Sequence, residues 1–287
     1  EQWRAALAGL FAGCRRAPED VFWLKENAEL LNIYECTGSG PGAEGLAHWA
    51  GVYEGIEAQM RFFPQYYRFL LSICLDLEDL GVGGSTGEAL AEWVRRSGLP
   101  EAELSDLQRA EAERLLARRG AGEGITSDLR ARLMQFAARP ETFALPNKKA
   151  AYELTHIVFY LSEYGRQDPG LTPEVLTSLE YTGILAFLEQ NSDLLAGVCV
   201  ALRQAGQVPP APWEDWLERQ AHQFVLLPGD AGQGDDYHDF FVCNWLMASS
   251  GRAAFVQGVP RGPAAVRAAA PRTGVLGALS RQLFQMG

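Results

Sequence analysis

Apolar residues recur along this chain at three- and four-residue spacings, the signature of helices with one buried face. The pattern predicts helices over roughly 2–16, 19–36, 43–62, 64–80, 86–97, 101–118, 126–138, 147–164, 173–189, 192–205, 212–226 and 236–249. Pro18, Pro64, Pro100, Pro173 and Pro212 fall at or near the starts of these segments, where the missing N–H costs little. Gly38, Gly81, Gly120, Gly165 and Gly206 fall just past their ends, where a left-handed residue closes a helix. Ser192-Asp193 and Thr172-Pro173-Glu174 read as N-terminal caps. The short apolar run Gln223-Phe224-Val225-Leu226-Leu227 reads as the end of a helix, and no alternating segment of strand length stands out.

The fold class expected is therefore all-α. Helices joined by short Gly/Pro loops predict helical hairpins set in an α/α toroid or a solenoid-like array. A less regular bundle is the competing arrangement, because no repeat of fixed period is present. Residues 1–250 read as one helical domain and 251–287 as a tail. No acidic residue follows Asp239, while Arg252, Arg261, Arg267, Arg272 and Arg281 sit among many Ala, Gly and Pro. The plain reading is a segment lying on the acidic body or unfolded. A helix-like piece from Leu276 to Met286 could dock on the body or on a second subunit, which leaves a homo-oligomer open.

Composition narrows the classes. With 47% hydrophobic and 21% charged residues in 287, a sizeable core can form. The net charge of −11 argues against nucleic acid and against anionic membrane surfaces as partners. No apolar run reaches the roughly 18 residues of a membrane span. The start, Glu1-Gln2-Trp3-Arg4, lacks the apolar region of a secretory signal, so a cytoplasmic protein is expected. The cysteines, Cys14, Cys36, Cys74, Cys199 and Cys243, are odd in number and widely spaced. They read as reduced thiols, mostly in the core, rather than a disulfide or zinc framework.

The chemistry is concentrated in Tyr152–Gly165. At about 100° per residue, Tyr152, His156, Phe159 and Glu163 share one arc of a helix, and Leu154, Ile157, Val158 and Leu161 the other. One face can pack while the other presents an imidazole, a carboxylate and rings. A second group lies in Asp235–Trp245, where His238, Phe241 and Trp245 share an arc and Tyr237 sits at its edge. Asp235 and Asp236 suit the first turn of that helix through its dipole. Asp193 opens a further helix and has the same plain explanation. His48 and His222, the other two histidines, read as structural. No G-x-S-x-G, H-E-x-x-H, P-loop or kinase signature is present.

The elements Leu154-Thr-His-x-x-Phe-Tyr160, Gly165, Asp193-Leu-Leu195 and Tyr237-His238, in that order, resemble a bacterial family of all-helical proteins known as a domain of unknown function. The match spans about residues 145–250. It implies a helical, toroidal fold, a site shared by His156, Asp193 and His238, and a loose association with specialised metabolism. This chain has Glu163 where that pattern has Asp, and Gly197 where it has Glu.

Two functions are consistent with these residues. The first is an enzyme doing acid–base chemistry on a small metabolite or modified peptide. His156, His238, Glu163, Asp193 and Tyr237 would carry it, with Phe159, Tyr160, Phe241 and Trp245 against the substrate. A two-histidine, carboxylate metal centre is a variant; the residues name no cofactor. The second is a helical scaffold that binds a protein or peptide without catalysis. Convergence of His156 and His238 separates the two.

Overall fold

The computed structural model describes residues 2–232 and 235–268, of which 66% are helical. The fold is all-α, with one small two-stranded sheet among the described residues. The chain divides into two compact units. The first holds the chain up to Thr126 together with Val225–Tyr237 and Phe255–Arg267, and the second holds Ser127–Phe224 with His238–Ala254.

The first unit contains α1 (Gln2–Gly9), α2 (Val21–Thr37), α3 (Gly42–Leu46), α4 (Ala50–Phe62), α5 (Tyr67–Leu80), α6 (Thr86–Arg96) and α7 (Asp106–Ala117). Its core is the α2–α5 pair. The buried Asn27 of α2 is satisfied on all sides: its amide donates to the Phe11 and Trp23 carbonyls, and its oxygen accepts the Trp49 indole N–H at 2.7 Å. Such a network costs little when complete.

The second unit contains α8 (Ser127–Ala137), α9 (Pro140–Phe143), α10 (Lys148–Leu161), α11 (Pro173–Leu188), α12 (Ser192–Gln204), α13 (Ala211–Gln223) and most of α14 (Tyr237–Ser249). Every residue of α12 from Ser192 to Leu202 is buried, which makes it the central helix of the unit, as expected of a helix apolar all round. It packs against α10, α11 and α13. Gly183 of α11 explains one close approach, since a Cβ there would stand 2.4 Å from the Trp213 ring of α13.

Three expectations change. The run at 223–227 is a strand, β1 (Phe224–Pro228), because α13 stops at Gln223 and the chain extends to pair with β2 (Ala264–Ala268). Residues 255–267, read from the sequence as tail, belong to the first unit, where Phe255, Ala264, Ala265 and Val266 are buried. Basic composition hid a short apolar strand. The helix expected over 147–164 stops at Leu161. The expected helix-like piece at 276–286 lies outside the described residues.

Candidate functional site

The second unit brings His238, and the charge of His156, to the carboxylate of a third sequence-selected residue, Asp193. Asp193 is the second residue of α12. Asn191 caps that helix, its side-chain oxygen accepting the Leu194 N–H at 3.1 Å. The capping task therefore falls on Asn191, and the Asp193 carboxylate is directed to side chains. One oxygen accepts the Tyr152 hydroxyl. The other lies 3.2 Å from His238 Nε2. A parallel link, from the Ser192 hydroxyl to the Asp239 carboxylate at 3.0 Å, fixes the first turn of α14 against the first turn of α12.

His156 approaches from α10. Its Nδ1 is 2.7 Å from the Tyr152 carbonyl, which also accepts the Thr155 hydroxyl. A carbonyl can only accept, so Nδ1 carries the proton and Nε2 is the basic nitrogen of the neutral ring.

The electrostatics follow from this placement. Burial alone would raise the pKa of Asp193. The charge and hydrogen bond of His238, the Tyr152 hydrogen bond and the charge of His156 outweigh it and hold the carboxyl below its usual range. Burial pushes the Tyr152 phenol well above the usual tyrosine range, and Asp193 and then Asp239 push it further. Tyr152 therefore stays a donor. Asp193 is nearly enclosed, whereas the His238 side chain is 43% exposed and open to a solute.

The rings form a wall beside this centre. Phe159 meets Trp245 edge-on at 4.7 Å and His156 at 5.5 Å, and Tyr160 lies 5.9 Å from His156. Phe159, Tyr160 and Trp245 are buried, so they pack the site's back. Tyr164, which helical periodicity did not select, stacks on Phe159 and reaches Trp245. It does so from a left-handed backbone, φ 55°. Phe241 is buried beside Phe240. Gly197 faces Thr155 and Phe159 of α10.

The other selected residues are placed elsewhere. Glu163 lies past the end of α10 at φ 48°, so the helical arc shared with His156 does not extend to it. Tyr237 belongs to the first unit, where burial, then Glu29 and Glu26, raises its pKa. His48 is exposed in the first unit and His222 is exposed on α13. Sequence reasoning did not give Tyr152 or Asn191 a role at this site, although Tyr152 stood one turn before His156.

The Ser192 hydroxyl is donated to Asp239 and the buried Cys243 thiol faces the Ser192 carbonyl. Burial also raises the Cys199 thiol above its usual range and Cys74 to about 12, so both stay protonated. Among the described residues, no group of three or more His, Cys, Asp and Glu side chains is arranged to hold a metal ion. Nor is any described helix long and apolar enough to cross a membrane.

The whole chain, residues 1–287, matches the model of the family described as Domain of unknown function (DUF6902), and the chain belongs to that family. No curated protein and no solved structure matches it.

Proposed function

We propose that this member of the DUF6902 family is an enzyme that moves protons on a small metabolite or modified peptide, with His238 as the base. The observation that carries the reading is the contact of a half-exposed imidazole with a nearly enclosed carboxylate. Asp193 holds Nε2 as the protonated nitrogen, so Nδ1 is the basic atom of the neutral ring. Abstraction of a substrate proton there creates an imidazolium beside a carboxylate, the pairing that stabilises it in other catalytic dyads. Tyr152 and Asp193 are positioning residues. His156, whose charge also bears on Asp193, is the second proton-exchanging group and serves the leaving side of the reaction. Phe159 and Tyr160, with Trp245 behind Phe159, limit water around His156, and a cytoplasmic setting fits the buried thiols.

The test is a metabolite panel incubated with wild type and His238→Ala in parallel and read by mass spectrometry. General-base catalysis contributes about 10²–10⁴-fold, so turnover should fall by at least about a hundredfold in the variant. Turnover unchanged in His238→Ala rules out this assignment.

One observation favours a second reading, partner binding. The outer face of α11 leaves Tyr181, Ile184 and Leu188 exposed at 39%, 47% and 46%. Three apolar residues at helical spacing form a face that another protein could cover.

A further inference from the structure

A cavity of about 130 Å³ opens in the second unit between α9, α10, α11 and the start of α12. Its inner wall is apolar and buried: Phe143, Ala151, Ala186 and Leu194. Thr182 also lines it, but its hydroxyl is donated to the Ser178 carbonyl, which takes the polar end out of use. Leu145 stands at the rim and is 67% exposed. An apolar cavity of this size is comparable to the engineered cavity of about 150 Å³ that takes up benzene. It fits one ring or one short branched alkyl group, and it is too small for a peptide backbone or a lipid chain.

Asn191 connects this cavity to the site. Its side chain lines the cavity, caps α12 and adjoins the Tyr152 phenol, and Tyr152 in turn bonds to Asp193. A molecule seated with its ring among Phe143, Ala186 and Leu194 therefore has Asn191 beside it. We propose that this cavity is the specificity pocket of the site and receives the single aromatic ring of a small substrate, with a neutral hydrogen-bonding substituent directed to Asn191. The proposal rests on the acid–base reading for what happens to that molecule. The pocket itself is tested without turnover.

The probe is 4-fluorobenzyl alcohol, followed by fluorine NMR on the full chain, with the imidazole resonances of His238 and His156 recorded in the same titration. Saturable binding to wild type is expected, with a shift of the His238 resonance. Ala186→Leu and Ala151→Leu fill the cavity from two different helices and should each weaken binding by at least about tenfold. Leu145→Ser, at an exposed position where folding is insensitive, should weaken it less and serves if the filled variants do not fold. His238→Ala should keep the probe affinity within about twofold, because the ring does not depend on the base. Absence of saturable binding overturns the proposal, as does binding unaffected by all three pocket variants. Binding that leaves the His238 resonance unmoved overturns the link to the site. Loss of turnover in His238→Ala with no probe binding in wild type would sink the pocket alone, and probe binding with unchanged turnover in His238→Ala would sink the acid–base reading alone.

Discussion

His238 Nε2 lies 3.2 Å from Asp193 Oδ1, joining the first turn of one helix to the first turn of another. After burial, the charge of His238 is the largest influence on the protonation of Asp193, and it acts against burial. His238→Ala should therefore raise the pKa of Asp193. Carboxyl-carbon NMR on labelled Asp, with Asp193→Asn to assign the signal, reads this directly. An Asp193 titration that does not move in His238→Ala would show that the pair is a contact without coupling.

The same shift has a consequence for acid stability. The folded pKa of Asp193 is lowered, so its contribution is present above the unfolded value of about 3.9 and is lost as pH falls through the folded value. Wild type should exceed Asp193→Asn in stability near neutral pH, by roughly 1–3 kcal/mol, because the amide keeps one acceptor oxygen and one of the two partners loses its own. The gap should close as the pH drops below about 4. Urea unfolding at a series of pH values checks this. A gap that stays constant through the acid range would assign the loss to packing instead.

Tyr152 supplies the alkaline counterpart. Burial and two carboxylates raise its pKa, so the fold retains a proton that an unfolded tyrosine loses near about pH 10. Its stabilising contribution is complete below that pH and declines as the pH rises beyond it. The difference between wild-type and Tyr152→Phe absorbance at 295 nm should show no ionisation between about pH 9 and 11. A midpoint near 10 in that difference would mean that the phenol is solvated.

Much of the helical framework was legible in the sequence, because a period near 3.6 and the Pro/Gly punctuation are local properties. The shared carboxylate was legible in part. His156, Asp193 and His238 stand out by residue type, but adjacent helical positions diverge by about 100°. Tyr237 and His238 therefore point in different directions, and the structure assigns Tyr237 to the first unit. Asn191 was obscured because Ser192-Asp193 already resembled a cap. Tyr164 was obscured because two successive left-handed residues break the helical arithmetic. The β1–β2 pairing was invisible for a different reason: each strand is five residues long, and neither periodicity nor composition distinguishes so short a run from a helix end.

Glu163 offers a test of strain against function. At φ 48° a side chain costs about 1–2 kcal/mol relative to glycine, and the turn it forms carries Tyr164 onto the ring wall. Glu163→Gly should leave the fold neutral or stabilise it by up to about 1 kcal/mol after the added entropy of the unfolded chain is offset. Thermal melts decide this. If Glu163 also belongs to the reaction, turnover on any substrate found in the metabolite panel should fall in the same variant. Marked destabilisation would instead reveal a structural contact of the carboxylate.

Asp235 carries the last prediction. Its sequence position suggested a dipole-matching acid before α14, but in the first unit it does more. One oxygen accepts Arg15 Nη2 at 2.9 Å and the Tyr237 N–H at 3.0 Å, and the other accepts the Val266 N–H of β2 at 2.8 Å. Arg15 is enclosed and also paired with Glu26 at 3.0 Å. Asp235→Ala leaves Arg15 with Glu26 as its remaining carboxylate and removes the acceptors of two backbone N–H groups, and a buried donor left unsatisfied costs about 1–3 kcal/mol. Asp235→Ala should therefore destabilise the first unit by several kcal/mol, near the upper end of single substitutions. Asp235→Asn keeps one acceptor oxygen, for either the Val266 or the Tyr237 N–H, and should cost less. Because Val266 is bonded to this carboxylate, the amides of 264–268 should lose exchange protection in Asp235→Ala before those of α10 and α12 do. Hydrogen exchange followed by peptide mass analysis separates the two regions. Equal protection of β2 in wild type and variant would show that the strand is held by its pairing with β1 and its buried alanines, and that the Arg15–Asp235 pair does not anchor it.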